Sequence, residues 1–197
     1  MMGTASTRIL AMSGSSRSGA LSIKLRDAAA VALETIGATV DVLDLRALDL
    51  PLYDGDLEAR LGVPDGARRL RDALMQADGV LFVTPEYNGF PTPLELNAWD
   101  WLSRLGGEGD SPSGVAVTAG KPLALLSSSP GALGGMRALG LLRQFLGGTF
   151  QMLVLPQQLA LARAHEAFDD SGALRDARQQ ASLKQVTDGL VRLARTR

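Results

Sequence analysis

Arg8-Ile-Leu-Ala-Met-Ser13, followed at once by Gly14-Ser-Ser-Arg-Ser-Gly19, is the stretch that decides the fold. The first six residues are a short apolar run of the kind that forms a buried strand, and the next six are a glycine- and serine-rich turn. Beyond the turn, Leu21, Leu25, Ala28, Ala32 and Ile36 recur at helical spacing, and Gly37 stands where a C-cap glycine belongs. Thr39 to Leu45 predicts a second strand. The chain opens strand, loop, helix, strand.

The alternation continues. Leu50 to Asp56 reads as a loop from its Pro, Asp and Gly content, Asp65 to Ala77 as a helix, and Gly79 to Thr84 as a β-prone buried strand. Pro85 to Pro91 breaks that strand, Pro93 to Leu105 is helical, and Gly106 to Gly120 is a polar surface connection. Lys121 to Leu126 predicts a fourth strand, and Leu139, Leu142 and Leu146 line a helix that stops at Gly147-Gly148. Gln151 to Leu155 predicts a fifth strand, and Leu183, Val186, Leu190 and Leu193 mark a last helix. The strand runs are continuously apolar rather than alternating, as expected of parallel strands covered by helices on both faces. With 197 residues and no internal repeat or low-complexity linker, the expectation is one α/β domain over residues 1–197.

Composition narrows the function. Lys and Arg number 20 against 21 Asp and Glu, a net charge of −1, so no basic excess points to nucleic acid. The absence of cysteine removes thiolate metal sites, iron–sulfur clusters, disulfide scaffolds and thiol catalysis. A single histidine, His165, excludes two-histidine metal sites, and no metal is expected. Met1 to Met12 holds no apolar stretch of signal-peptide length, and no run is long enough to span a membrane. Cytoplasm is the expected location.

In open parallel sheets, ligands sit beyond the carboxyl ends of the strands. Three loops there are unusual in composition. Ser13 to Ser22 offers backbone N–H groups at a helix N-terminus, several hydroxyls and the guanidinium of Arg17, which suits a phosphate. It lacks both the GxxxxGK[ST] and GxGxxG spacings, so a monophosphate is expected rather than a tri- or dinucleotide. An ordinary Ser/Gly turn with an N-cap explains the same residues equally well. Pro85 to Asn88 puts an aromatic and an amide at the end of the third strand. Ser127 to Gly135 holds Pro130, Gly131, Gly134 and Gly135, which would let backbone approach a ligand closely.

Taken together, Gly14-Ser-Ser-Arg17, Pro85-Glu-Tyr-Asn88, Asn97-Ala-Trp-Asp-Trp101 and Ser129 to Gly135 resemble the NAD(P)H-dependent FMN reductase family of flavodoxin-like flavoproteins. Leu50-Pro-Leu-Tyr-Asp54 is similar to the family as well, and the resemblance runs from about Arg8 to Pro156. It implies a flavodoxin-like, five-stranded parallel sheet in a homodimer or homotetramer. It also implies that the first loop holds the FMN phosphate, through side chains of Ser15 and Arg17 and the stretch containing Ser16, Ala20, Leu21 and Ser22. Pro85, Glu86, Tyr87 and Asn88 would line the ribityl chain and ring edge, with Ser128 and the turn through Gly131 closing the other side. The sequence departs from the pattern at Ala20 and Ser22, where the family carries Ser and Asn, and at Leu96, where it carries Lys. Trp99 stands where an aliphatic residue is common, and core or subunit packing is the expected role of Trp99 and Trp101.

A flavin enzyme needs little side-chain chemistry, so no acid, base or nucleophile is expected. The implied function is hydride transfer from NAD(P)H through bound FMN to a small-molecule acceptor such as a quinone, azo compound or free flavin. The alternative is a flavodoxin-like electron carrier, although carriers are strongly acidic for docking and this chain is not. A module that has lost flavin, through Ala20 and Ser22, is a third reading. His165 and the terminal Arg192, Arg195 and Arg197 are expected at the surface or at a helix end.

Overall fold

The apolar runs become the strands. The computed structural model describes residues 6–196. It contains β1 (Arg8–Ser13), β2 (Thr39–Asp44), β3 (Gly79–Thr84), β4 (Pro122–Ser128) and β5 (Leu153–Leu161) in a single sheet of order β2-β1-β3-β4-β5. Every pairing is parallel. This is the flavodoxin-like order, whose switch point lies between β1 and β3. The chain leaves β1 toward one side of the sheet and β3 toward the other, so the loops after these strands diverge and leave a crevice at their carboxyl ends.

Alternate residues of each central strand feed two cores. Ile9, Ala11, Leu81, Val83, Ala124 and Leu126 face α1 (Leu21–Thr35) and α6 (Ala177–Ala194), which contribute Leu25, Leu33, Leu183 and Leu190. Leu10, Met12, Val80, Phe82, Leu123 and Leu125 face the helices α3 (Asp65–Gln76), α4 (Pro93–Ser103) and α5 (Met136–Gly148). The period of two in β-structure therefore divides continuously apolar strands between two buried layers. Trp99 and Trp101 are fully buried in the second layer. Trp99 packs between Phe82 and Phe150, with ring centroids 6.0 and 5.1 Å away.

The structure differs from the sequence expectation most clearly at three places, besides β4 running on through Ser127 and Ser128 and Val117 and Thr118 being buried in the 106–120 connection. The segment after Leu50 contains a seven-residue helix, α2 (Gly55–Leu61), in addition to a loop; Asp54 caps it by accepting from the N–H of Asp56 and Leu57. β5 starts later than expected and runs on to Leu161. Its register against β4 shifts between Leu123 and Leu125, and Pro156 lies in the resulting bulge on this edge strand. The edge position tolerates proline, while the polar Gln157 and Gln158 concealed the strand's continuation. Leu45 leaves β2 to begin a short 3-10 helix (Leu45–Leu48), capped by Asp44.

His165 is half exposed and lies 3.1 Å from Glu166. Arg195 is the C-cap of α6 and reaches Thr7 Oγ1 at 3.2 Å, while Arg197 and the first five residues of the leader reading lie outside the described residues. Among the described residues no helix is long and apolar enough to cross a membrane, and no acidic or histidine cluster could hold a metal ion.

Candidate functional site

The loops after β1, β3 and β4 converge on a cleft of about 130 Å³. Ser15, Arg17, Ala20, Leu21, Ser22, Pro85, Glu86, Tyr87 and Ser128 line it, joined by Ser129 and Pro130. Ser16, Asn88 and Gly131 do not line it. A larger groove of about 690 Å³ lies on the flank, between α1, α6 and the 168–174 loop, away from the strand ends where this fold class binds ligands.

The first loop presents donors. Ala20 is the N-cap of α1 and offers no side-chain cap, and the first turn carries no acidic residue. The first backbone bond back into the helix comes from Lys24 to Ala20, so the N–H groups of Leu21, Ser22 and Ile23 precede it without intrahelical acceptors. Ser15 Oγ accepts from the N–H of Arg17 at 3.2 Å, a local turn that holds the loop in shape. Ser22 Oγ accepts from Ser13 Oγ at 3.0 Å, which ties the start of α1 to the end of β1. Arg46, which the sequence reading passed over, donates to the Ser16 carbonyl at 3.2 Å and adds a second guanidinium beside the loop.

The second loop is a tight reversal. Tyr87 and Phe90 exchange backbone bonds at 3.0 Å, and Asn88 and Gly89 between them have φ of 54° and 85°. Those angles are the type I′ turn that Asn-Gly favours, which accounts for Asn88 at the exposed tip rather than in the cleft. Glu86 also proves to be something other than a free contact. Its carboxylate accepts from the backbone N–H of Arg137 and Ala138, at 3.1 and 3.2 Å, and from the Arg137 guanidinium. Burial pushes the carboxyl up, but the bonds from Arg137 and Ala138 more than offset that and hold it below its ordinary range. Glu86 caps α5 and braces the second loop against the third.

In the third loop, the close backbone approach is to the protein itself. Gly134 has φ of 61°, and a Cβ there would come within 2.6–2.7 Å of the β5 end at Ala160 to Ala162. Gly131 accepts from the N–H of Arg163 at 3.2 Å and so closes the loop onto the chain after β5. Ser128 is different. It is buried, lines the cleft, and its hydroxyl has no partner.

Below the cleft lies a feature signalled by Thr92-Pro-Leu-Glu95, a T-x-x-E capping box. Thr92 Oγ1 accepts from the N–H of Glu95 at 3.3 Å, and Glu95 Oε1 accepts from the N–H of Thr92 at 2.7 Å. Further along α4, Asn97 accepts from Tyr53 N at 2.8 Å and donates to the Pro51 carbonyl, also at 2.8 Å. Trp101 Nε1 donates to that same carbonyl at 2.7 Å. The Asn97 to Trp101 motif therefore packs the core and pins the Leu50–Tyr53 loop.

The sequence model described as NADPH-dependent FMN reductase matches residues 7–166. The chain belongs to that family. It is 34% identical over 184 residues to an NAD(P)H-dependent FMN reductase of Pseudomonas aeruginosa, covering 93% of this chain and 92% of the relative. It is 41% identical over 128 residues to a quinone reductase of Pseudomonas putida, covering 65% of this chain and 64% of that protein. The match thus spans slightly less than two thirds of the quinone reductase's length. Among solved structures, the flavoenzyme NAD(P)H:(acceptor) oxidoreductase FerB of Paracoccus denitrificans superposes with a TM-score of 0.76 at 26% identity, covering 96% of this chain and 98% of FerB.

The residues present suit the flavin mononucleotide of this family. An uncapped helix start with two nearby guanidinium groups suits a phosphate, and an orphaned buried hydroxyl at Ser128 suits a polar ligand edge.

Proposed function

We propose that this chain is an oxidoreductase that takes hydride from NAD(P)H onto bound FMN and passes the electrons to a small acceptor of the quinone, azo or free-flavin type. The single observation that carries the reading is the convergence of the three loops on one cleft at the β1/β3 switch point, with the start of α1 left open. The cleft's volume is well below the ~300–1,000 Å³ of pockets that enclose a whole ligand, so it suits the phosphate and ribityl end. The flat ring is then left to the rim, at Tyr87 and Pro130.

When bound, the flavin itself supplies the two-electron chemistry. The chain's own residues bind and orient. Arg17 and the N–H groups of Leu21 to Ile23 hold the phosphate, with Ser15 shaping the loop and Arg46 adding positive potential. Ser128 donates to the ligand edge, and Glu86 keeps the two ring-side loops in fixed relation. No side chain in the cleft has to carry a proton to or from a substrate.

The apolar side chains of Phe90 and Leu133 on the two loops that flank the cleft, and of Met136 at the start of α5, are exposed, which favours coverage by a second copy of the chain, in a homodimer or homotetramer. We read residues 1–197 as one domain and the cytoplasm as its site of action, in keeping with the lack of cysteine. The test is steady-state oxidation of NADPH and NADH by the FMN-loaded protein, with and without a benzoquinone. Acceptor-dependent oxidation is expected. Loaded protein that oxidises neither nucleotide would reassign it as an electron carrier.

A further inference from the structure

Glu95 is a carboxyl with no solvent exposure, set directly beneath the first residue of the phosphate loop. The backbone at Gly14 leaves no room above it: a Cβ on Gly14 would fall 1.8 Å from Glu95 Oε2. Thr92 Oγ1 donates to the Gly14 carbonyl at 2.5 Å, so the capping box of α4 and the first cofactor loop share one bonded cluster. The Gly14 N–H in turn donates to the Val83 carbonyl at 3.0 Å, one residue before Thr84.

The proton count in this cluster is informative. Thr84 Oγ1 lies 2.6 Å from the Pro85 carbonyl and 2.8 Å from Glu95 Oε1. A hydroxyl has one proton and can serve only one of these two acceptors. Both contacts are satisfied when Thr84 donates to the carbonyl and a neutral Glu95 donates to Thr84. Oε2 is buried with no donor in either form, which costs far more for an anion than for a neutral carboxyl. The titratable groups on surrounding elements are Arg17 and Arg46 beside the loop, Asp44 at the end of β2, Glu86 and Tyr87 on the second loop, and Asp100 on α4. None of them hydrogen-bonds Glu95. Burial is the dominant influence, and although the bonds with Thr84 and Thr92 oppose it, the carboxyl is pushed up to about 8.

We infer that Glu95 is a positioning residue for the phosphate loop that serves only in its neutral form, so that retention of FMN is gated by protonation of this one buried carboxyl. The inference rests on the flavin-binding reading above. An anion at this point opposes the incoming phosphate from directly below the loop. It also demands donors that only a rearrangement of Gly14 or Thr92 can supply. By linkage the reverse holds too, and bound FMN disfavours ionisation of Glu95.

The experiment is a fluorescence titration of the flavin-stripped full-length protein with FMN between about pH 6.5 and 9, a range over which the phosphate stays largely dianionic. Wild-type affinity is expected to fall about tenfold between pH 7 and 9, which is the change in the neutral fraction of a group near 8. Glu95→Gln should bind FMN with a flat profile, and Glu95→Leu poses the same question if the glutamine variant does not fold. Riboflavin, which lacks the phosphate, should show a clearly smaller break with wild-type protein and requires no variant. A flat wild-type profile, or a break that survives in the neutral variants, overturns the inference and leaves flavin binding intact. Failure to bind FMN at any pH overturns the flavin reading and this inference with it.

Discussion

Three helices begin from the loops that line the cleft, and their first turns are treated in two ways. α4 opens on a capping box with Pro93 in its first turn, and α5 opens on the carboxylate of Glu86. Both sets of free N–H groups are thus answered from within the chain. α1 opens on Ala20, with no side-chain cap and no acid in its first turn. A helix start carries unpaired donors and the positive end of the macrodipole, so answering two from within the chain, by the Thr92 hydroxyl and the Glu86 carboxylate, and leaving the third open makes α1 the preferred seat for an anion at this cleft. The lesson is that the phosphate site is defined as much by the acids missing from α1 as by the arginine beside it.

The sharpest way to break this contrast is to cap the open helix. Ala20→Asp places a carboxylate where the phosphate should sit, and should weaken FMN binding by about 100-fold while leaving thermal stability unchanged or raised. Fluorescence titration and a melting curve read both halves. Arg17→Ala comes next: loss of a charge-assisted contact should weaken FMN about tenfold and riboflavin far less, and equal losses for both ligands would remove Arg17 from the phosphate.

Glu86→Gln addresses the filled side of the comparison. It removes the charge that caps α5 and should cost about 1–2 kcal/mol of stability in denaturant unfolding, with a smaller effect on flavin affinity than either loop variant. The remaining effect is a slope. Because folding raises the Glu95 carboxyl from 4.5 to about 8, the folded chain holds a proton that the unfolded chain releases over that range. Stability from this group is therefore full below about 4.5, falls as pH rises toward 8, and levels beyond it. Glu95→Gln should flatten that part of the melting temperature profile.

How much of this was legible in the sequence differs between the two sides as well. β1 and β3 were readable to the residue, because Ile9 to Met12 and Val80 to Val83 are apolar throughout and end in glycine or proline punctuation. The first loop was legible for the same reason, since Ser and Gly before a helical pattern leave donors exposed. The roles of Glu86 and Asn88 were not. Both belong to a motif whose residues suggest ligand contact, yet one is bound to a helix that begins 50 residues later and the other satisfies a turn geometry. Long-range capping leaves no local pattern. Glu95 was half legible: the T-x-x-E spacing predicts its bond to Thr92, but its position under Gly14 arises only when β1 and β3 pair. β5 was shortened by Pro156 and two glutamines, which an edge position permits and a central one would not.

The most direct test mixes the protein with FMN, desalts it, records the flavin absorbance, and then adds NADPH without oxygen. The account predicts flavin bands that stay with the protein and bleach on NADPH, and that fail to stay with Ala20→Asp. Bands that are lost on desalting from wild-type protein, or that Ala20→Asp retains equally well, would contradict the claim that the open start of α1 is the cofactor's seat.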